Sequence, residues 1–184
     1  MHVLVITDIW LRPEPERCIL TKHASEHVVE RVALSDLCGR PDLSGEALHQ
    51  YLFEQGGAKV AIDTLLARPN TGGFGLGYSA GGTILWRAVA GGLPLMGLIC
   101  VSSTRLREEG PVAAPTHVFF GTQDMRKPSQ DWLSYTPDQH TILEGVGHDY
   151  YQHPDPEVSS GSDVGPVETT ARHVLSFIAG YSPK

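Results

Sequence analysis

Gly77-Tyr78-Ser79-Ala80-Gly81-Gly82 is the stretch that decides how this chain folds. It satisfies G-x-S-x-G, follows a short glycine-rich run from Gly73 to Tyr78, and leads into a helix-like run from Thr83 to Ala90. The glycines have a steric reason. A strand that turns sharply into a helix strains the serine between them and brings neighbouring backbone very close, which only glycine tolerates. The turn lifts the hydroxyl above the end of the strand, where the helix N-terminus favours developing negative charge. Such patterns also arise by chance in loops, and the strand–turn–helix context sets this one apart.

The same glycines admit a rival reading. Gly75-Leu76-Gly77-Tyr78-Ser79-Ala80-Gly81 approximates a loosened dinucleotide fingerprint, which requires a carboxylate at the end of the next strand to hold a ribose. The next strand ends Cys100-Val101-Ser102-Ser103, without one.

Working outward, His2 to Thr7 is a branched, apolar run that predicts a buried strand, and Glu30 to Leu34 is a weaker strand candidate closing at Ser35-Asp36. Ser44 to Phe53 and Ala58 to Ala67 have helical spacing, with Ser44 as N-cap, Gly56-Gly57 as a break and Pro69 past the end. Leu95 to Ser102, Thr116 to Phe120 and His140 to Leu143 predict further strands. Gly165 to Ala179 predicts a closing helix with Val167, Ala171, Val174, Leu175 and Ile178 along one side. Strand and helix signals alternate, which predicts an α/β fold: a mainly parallel sheet with helices on both faces. No repeat or low-complexity tract interrupts the 184 residues, and His153 to Gly165 reads as a surface loop, so one domain is expected over 1–184.

A serine hydroxyl needs a base to take its proton and a carboxylate to orient that base. Among nine histidines, His148 lies in the glycine-rich turn Glu144-Gly145-Val146-Gly147-His148 just after a strand candidate. His153 is the alternative. His117 and His140 sit at strand starts, on the wrong edge of a parallel sheet, while His23, His27, His49 and His173 lie in helix-like or ill-defined stretches. Asp124 ends Phe119-Phe120-Gly121-Thr122-Gln123-Asp124, where a carboxylate emerges at the same edge as Ser79; Asp131, Asp138 and Asp149 suit solvated or capping roles better. Ala80, directly after the serine and at the start of a helix, is the expected backbone donor to an oxyanion.

A formal net charge of −7 offers no basic surface for nucleic acid and disfavours an anionic membrane. Cys18, Cys38 and Cys100 have neither paired nor metal-finger spacing, which points to free thiols in a reducing compartment. The first apolar run is too short for a signal peptide or a membrane span, so a cytoplasmic location is expected.

With Ser79, Asp124 and His148 in that order, the chain resembles the α/β-hydrolase superfamily, and within it the dienelactone-hydrolase-like and small carboxylesterase members. The likeness runs from Val3 to the closing helix. It is anchored on Gly77 to Gly82, on Phe120-Gly121-Thr122-Gln123-Asp124 and on Gly145-Val146-Gly147-His148. The resemblance implies a serine hydrolase acting on a small carboxylic ester or thioester through an acyl-enzyme. It also implies that Val5-Ile6-Thr7-Asp8-Ile9-Trp10 is an oxyanion segment, with Ile9 or Trp10 supplying the second backbone N–H. Dienelactone hydrolases proper carry a cysteine where this chain has Ser79. The chain begins at what would be the third strand of the full fold, so the first antiparallel hairpin is expected to be absent, as is a lid domain. The pocket is then open, walled by Arg105 to Ala114 and Met125 to Tyr135, with Trp10, Tyr78 and Tyr150 foremost among the aromatics contacting substrate and Trp132 and Tyr151 also available. No metal or organic cofactor is implied, and a sheet edge left by the missing hairpin suggests a homodimer. Two alternatives remain: a non-catalytic binding or regulatory protein on this fold, or a non-hydrolytic reaction using the same triad.

Overall fold

The computed structural model describes residues 1–10, 18–21, 27–69, 72–153, 155 and 164–181. Most of the expected loop from His153 to Gly165 therefore lies outside the described residues. Six strands form one sheet: β1 (His2–Ile6), β2 (Val28–Val32), β3 (Phe74–Tyr78), β4 (Gly97–Val101), β5 (Thr116–Gly121) and β6 (Gln139–Leu143). Their spatial order is β2-β1-β3-β4-β5-β6, and every neighbouring pair is parallel. The sheet is the predicted α/β fold, with no antiparallel hairpin and no lid among the described residues.

The pleat divides the core in two. Leu4 and Ile6 of β1, Leu98 and Cys100 of β4, and Val118 and Phe120 of β5 face α1 (Leu34–Leu37), α2 (Gly45–Glu54), α3 (Gly57–Leu66) and α4 (Ala80–Ala90). Val3, Val5, Phe74, Leu76, Tyr78, Ile99, Val101 and Phe119 face the opposite way, toward α6 (Pro166–Gly180). A short α5 (Gln130–Tyr135) precedes β6 and is capped by the Ser129 hydroxyl, which accepts from Trp132 N–H. On β3 the alternation is Phe-Gly-Leu-Gly-Tyr: large residues fill the α6 side, and glycines occupy the side on which α4 lies. A Cβ on Gly75 would stand 2.7 Å from Leu85, and one on Gly77 2.4 Å from the Gly82 Cα. Alternating glycine thus lets a helix rest directly on a strand.

Element boundaries differ from the sequence reading in instructive places. The helix predicted from Thr83 starts at Ala80, because Gly81 and Gly82 are helical residues required by close packing rather than loop residues. The second strand is Val28–Val32, two residues earlier than its apolar pattern suggests, since Leu34 already begins α1. The buried side of α6 includes Thr170 and Phe177, whereas Val167 and Leu175 are only partly covered. No helix among the described residues is long and apolar enough to cross a membrane.

Candidate active site

In a parallel α/β sheet the chain leaves every strand at the same edge, and a crevice opens where consecutive connections run in opposite directions. That point here lies between β1 and β3, with Ile9 and Ser79 on its two sides. Asp124 and His148 leave the same edge after β5 and β6.

Ser79 sits at φ +46°, ψ −116°, one of two non-glycine residues with positive φ among the described residues, the other being Ser102. The strain expected of the turn is therefore present, at a cost of order 1–3 kcal/mol that the surrounding packing must offset. Three close approaches hold it. A Cβ on Gly81 would lie 2.1 Å from the Thr7 carbonyl oxygen, one on Gly82 2.0 Å from the Ser103 hydroxyl, and one on Gly77 against Gly82 itself. Ser79 N–H donates to the Val101 carbonyl at 2.8 Å, pinning the elbow to β4.

The candidate acid and base, Asp124 and His148, sit on interlocked loops. Thr122 N–H donates to Leu143 O, Gln123 N–H to Val146 O at 3.0 Å, and Gly145 N–H to the Thr122 hydroxyl at 2.9 Å. Gly121 is the point of closest approach, since a Cβ there would stand 2.1 Å from Val146 O. His148 Nδ1 lies 2.8 Å from Asp124 Oδ2, and Ser79 Oγ 3.0 Å from His148 Nε2. With Nδ1–H donating to the carboxylate, Nε2 presents its lone pair to the Ser79 hydroxyl. Asp124 is buried, and burial pushes its carboxyl up; the hydrogen bonds from His148 and from Arg126 N–H outweigh this, so its pKa lies below the usual value. Asp138 instead accepts from Thr116 N–H and its hydroxyl, and His153 is exposed and pairs with Asp149.

The segment expected to form the oxyanion site is held by contacts that sequence spacing does not reveal. Asp8, buried at the end of β1, accepts Trp10 N–H on Oδ1 at 2.7 Å; on Oδ2 it accepts the Tyr151 hydroxyl at 2.7 Å and the Gln152 amide at 2.8 Å. Ile9 C=O accepts Gly45 N–H at 2.7 Å, and the Trp10 ring lies where a Gly45 side chain would be. The expectation that either Ile9 or Trp10 supplies a donor is thereby narrowed, because Trp10 N–H is committed to Asp8. Ile9 and Ala80 N–H groups have no acceptor among the described residues, and both residues line the cleft.

The cleft has a volume of about 490 Å³ and includes Ser79, His148, Trp10, Phe53 and Met125. Trp10 lines it as expected and is exposed. Tyr78 and Tyr150 do not. The pleat turns Tyr78 into the α6-side core, where it stacks on Tyr151 at 5.0 Å and its oxygen accepts Ile19 N–H. Tyr150 is buried against α6, its hydroxyl 3.0 Å from that of Thr170. Trp132 packs against Trp86 instead of the cleft. Of the two expected walls, Arg105 and Arg107 come from the turn Thr104–Glu108, and Met125 and Arg126 from the loop after Asp124. Tyr151, expected among the aromatics of the cleft, instead donates to Asp8, and this support of Asp8 is what sequence reasoning missed; a carboxylate two residues past a buried strand is the available signal. No group of three or more His, Cys, Asp or Glu among the described residues could hold a metal.

No family model matches the chain, and no curated protein matches it either. Solved structures do. A protein from Xanthomonas campestris pv. campestris assigned as a hydrolase of the alpha/beta superfamily aligns at 17% identity and TM-score 0.64, over 97% of this chain and 98% of that one. A protein from Klebsiella pneumoniae subsp. pneumoniae assigned as a dienelactone hydrolase aligns at 15% identity and TM-score 0.67, covering 97% and 86%. The RedJ thioesterase of the prodiginine biosynthetic pathway in Streptomyces coelicolor aligns at 15% and 0.62, covering 95% and 84%. At such identities the likeness is one of architecture: this chain has the α/β-hydrolase fold.

Proposed function

We propose that the protein is a serine hydrolase that cleaves a small carboxylic ester or thioester through an acyl-enzyme at Ser79. The observation that carries this reading is the unbroken relay from Ser79 Oγ to His148 Nε2 and from His148 Nδ1 to Asp124, opening on a cleft lined by two unused backbone donors. Ser79 Oγ attacks the carbonyl carbon as its proton passes to His148 Nε2. The resulting oxyanion accepts from Ala80 and Ile9 N–H, each worth roughly 3 kcal/mol in the transition state. His148 returns the proton to the departing alcohol or thiol, leaving Ser79 acylated. It then takes a proton from water, whose oxygen attacks the acyl carbon, and passes that proton to Ser79 Oγ as the acyl–Oγ bond breaks and the acid leaves. The structural neighbours described as hydrolases and as a thioesterase agree with this reaction class.

Labelling with a fluorophosphonate probe tests the proposal. The expected result is a single adduct that maps to Ser79 and is absent from Ser79→Ala. Folded protein that takes up no probe would exclude an activated serine and leave a binding protein on this fold.

A further inference from the structure

The cleft wall opposite in sign to the rest of the molecule has a meaning for substrate choice. In a chain of net charge −7, three arginines converge on the cleft that holds Ser79 and His148. Arg105 and Arg107 project from the turn after β4, and Arg126 from the loop two residues beyond Asp124. Their own partners do not use up their donors. Arg105 and Arg107 share one carboxylate, Glu108, at 3.7 and 3.3 Å, and Arg107 adds the Thr104 carbonyl at 2.9 Å. Arg126 forms no ion pair among the described residues; only its backbone N–H is engaged, at Asp124. Each guanidinium carries five N–H donors, so these contacts leave most of them without an acceptor among the described residues. Glu46 is the wall's carboxylate outside the Asp124–His148 pair.

Arg105 is further held by a cation–π contact: its guanidinium carbon lies 4.1 Å from the centroid of the Phe53 ring, which also lines the cleft. A planar, pre-oriented guanidinium matches the two oxygens of a carboxylate or phosphate, and it does so with less lost side-chain freedom than lysine.

Resting on the hydrolase reading above, we propose that the substrate is an ester or thioester bearing a second, anionic group, a carboxylate or a phosphate, held by Arg105, Arg107 and Arg126 while Ser79 meets the carbonyl. Neutral esters of the same size are then poor substrates.

The test separates binding from turnover. Calorimetry on Ser79→Ala compares monomethyl succinate with methyl butyrate, and acetyl phosphopantetheine with S-acetyl-N-acetylcysteamine. The expected result is at least about tenfold tighter binding of the anionic member of one pair. That preference falls toward one in the added double substitution Arg105→Gln/Arg126→Gln and shrinks in 0.5 M salt, while Arg172→Gln, on the exposed side of α6, leaves it unchanged. A preference confined to the first pair identifies a carboxylate, one confined to the second a phosphate. Equal binding within both pairs, or a preference that survives the double substitution, overturns the proposal. Selective binding with no turnover of any of the four by the wild-type protein would overturn the hydrolase reading instead.

Discussion

Replacing Gly81 with alanine puts the packing account of the elbow under direct strain. The new Cβ would stand 2.1 Å from the Thr7 carbonyl oxygen, 2.9 Å from that of Ile6 and 3.0 Å from Ile6 Cγ2. An unstrained carbon–oxygen approach is about 3.3 Å, so α4 and the end of β1 must separate by roughly 1 Å. Both neighbours are backbone or buried β1 atoms that cannot swing aside. A displacement of that size stretches the 3.0 Å Ser79–His148 contact beyond hydrogen-bond range. It also moves Ala80 N–H relative to Ile9. The expected outcome is a loss of about 10²-fold in fluorophosphonate labelling rate, with a stability loss of about 1–3 kcal/mol from overpacking. Two controls divide geometry from stability. Gly110→Ala has nothing within 4 Å and is expected to change neither property. Gly92→Ala, at φ +104° and exposed, is expected to lose about 1–2 kcal/mol of stability while labelling normally. Urea midpoints and pseudo-first-order labelling rates read both quantities. Gly81→Ala protein that labels within threefold of wild type would refute the claim that this approach sets the nucleophile's position.

The other predictions concern charge. Asp124→Asn keeps the side chain's shape but loses its charge and can turn an NH2 donor toward His148 Nδ1, which selects the wrong His148 tautomer, so hydrolysis should fall by about 10⁴-fold while the fold persists. Because the Asp124 carboxyl is held below its unfolded value, its contribution to stability is present above about pH 4 and is lost as the pH falls through the folded value. Wild type should therefore show a steeper drop in urea midpoint between pH 5 and pH 2.5 than Asp124→Asn, and parallel curves would contradict the assignment. His117, at the opposite edge of the sheet, loses stability in the same direction for a different reason. Burial, aided by His173 and His140, pushes its pKa down to about 4, so the unfolded chain binds a proton there that the folded protein does not. Stability should be full above about pH 6.5 and decline toward pH 4; His117→Phe should flatten that decline, and a variant with an unchanged slope would sink the idea.

The parts of this protein that were legible in the sequence are those whose causes are local. The near-continuous apolar runs of β1, β4 and β5 mark strands buried on both faces, and a parallel sheet follows from strands separated by helical periods. Gly77, Gly81 and Gly82 announce the elbow because a sharp strand-to-helix turn excludes side chains within a few residues of itself. Asp124 and His148 were recognisable because each follows a strand, and parallel strands deliver their ends to one edge. What the tertiary structure alone decided concerns direction and partnership across long separations. Tyr78, beside the serine, looked like a substrate contact, yet the pleat that exposes Ser79 sends the ring the other way, onto Tyr151. Trp10 and Ile9 were indistinguishable as donors until Asp8 took the Trp10 N–H, and Asp8 is itself held by Tyr151, 143 residues away. The same holds for Arg105, Arg107 and Arg126, which are scattered charges along the chain and become one wall only when the ends of β4 and β5 meet at the sheet edge. A sequence pattern records what neighbours along the chain require, whereas hydrogen-bond ownership and side-chain direction at a cleft are settled by elements that first meet on folding.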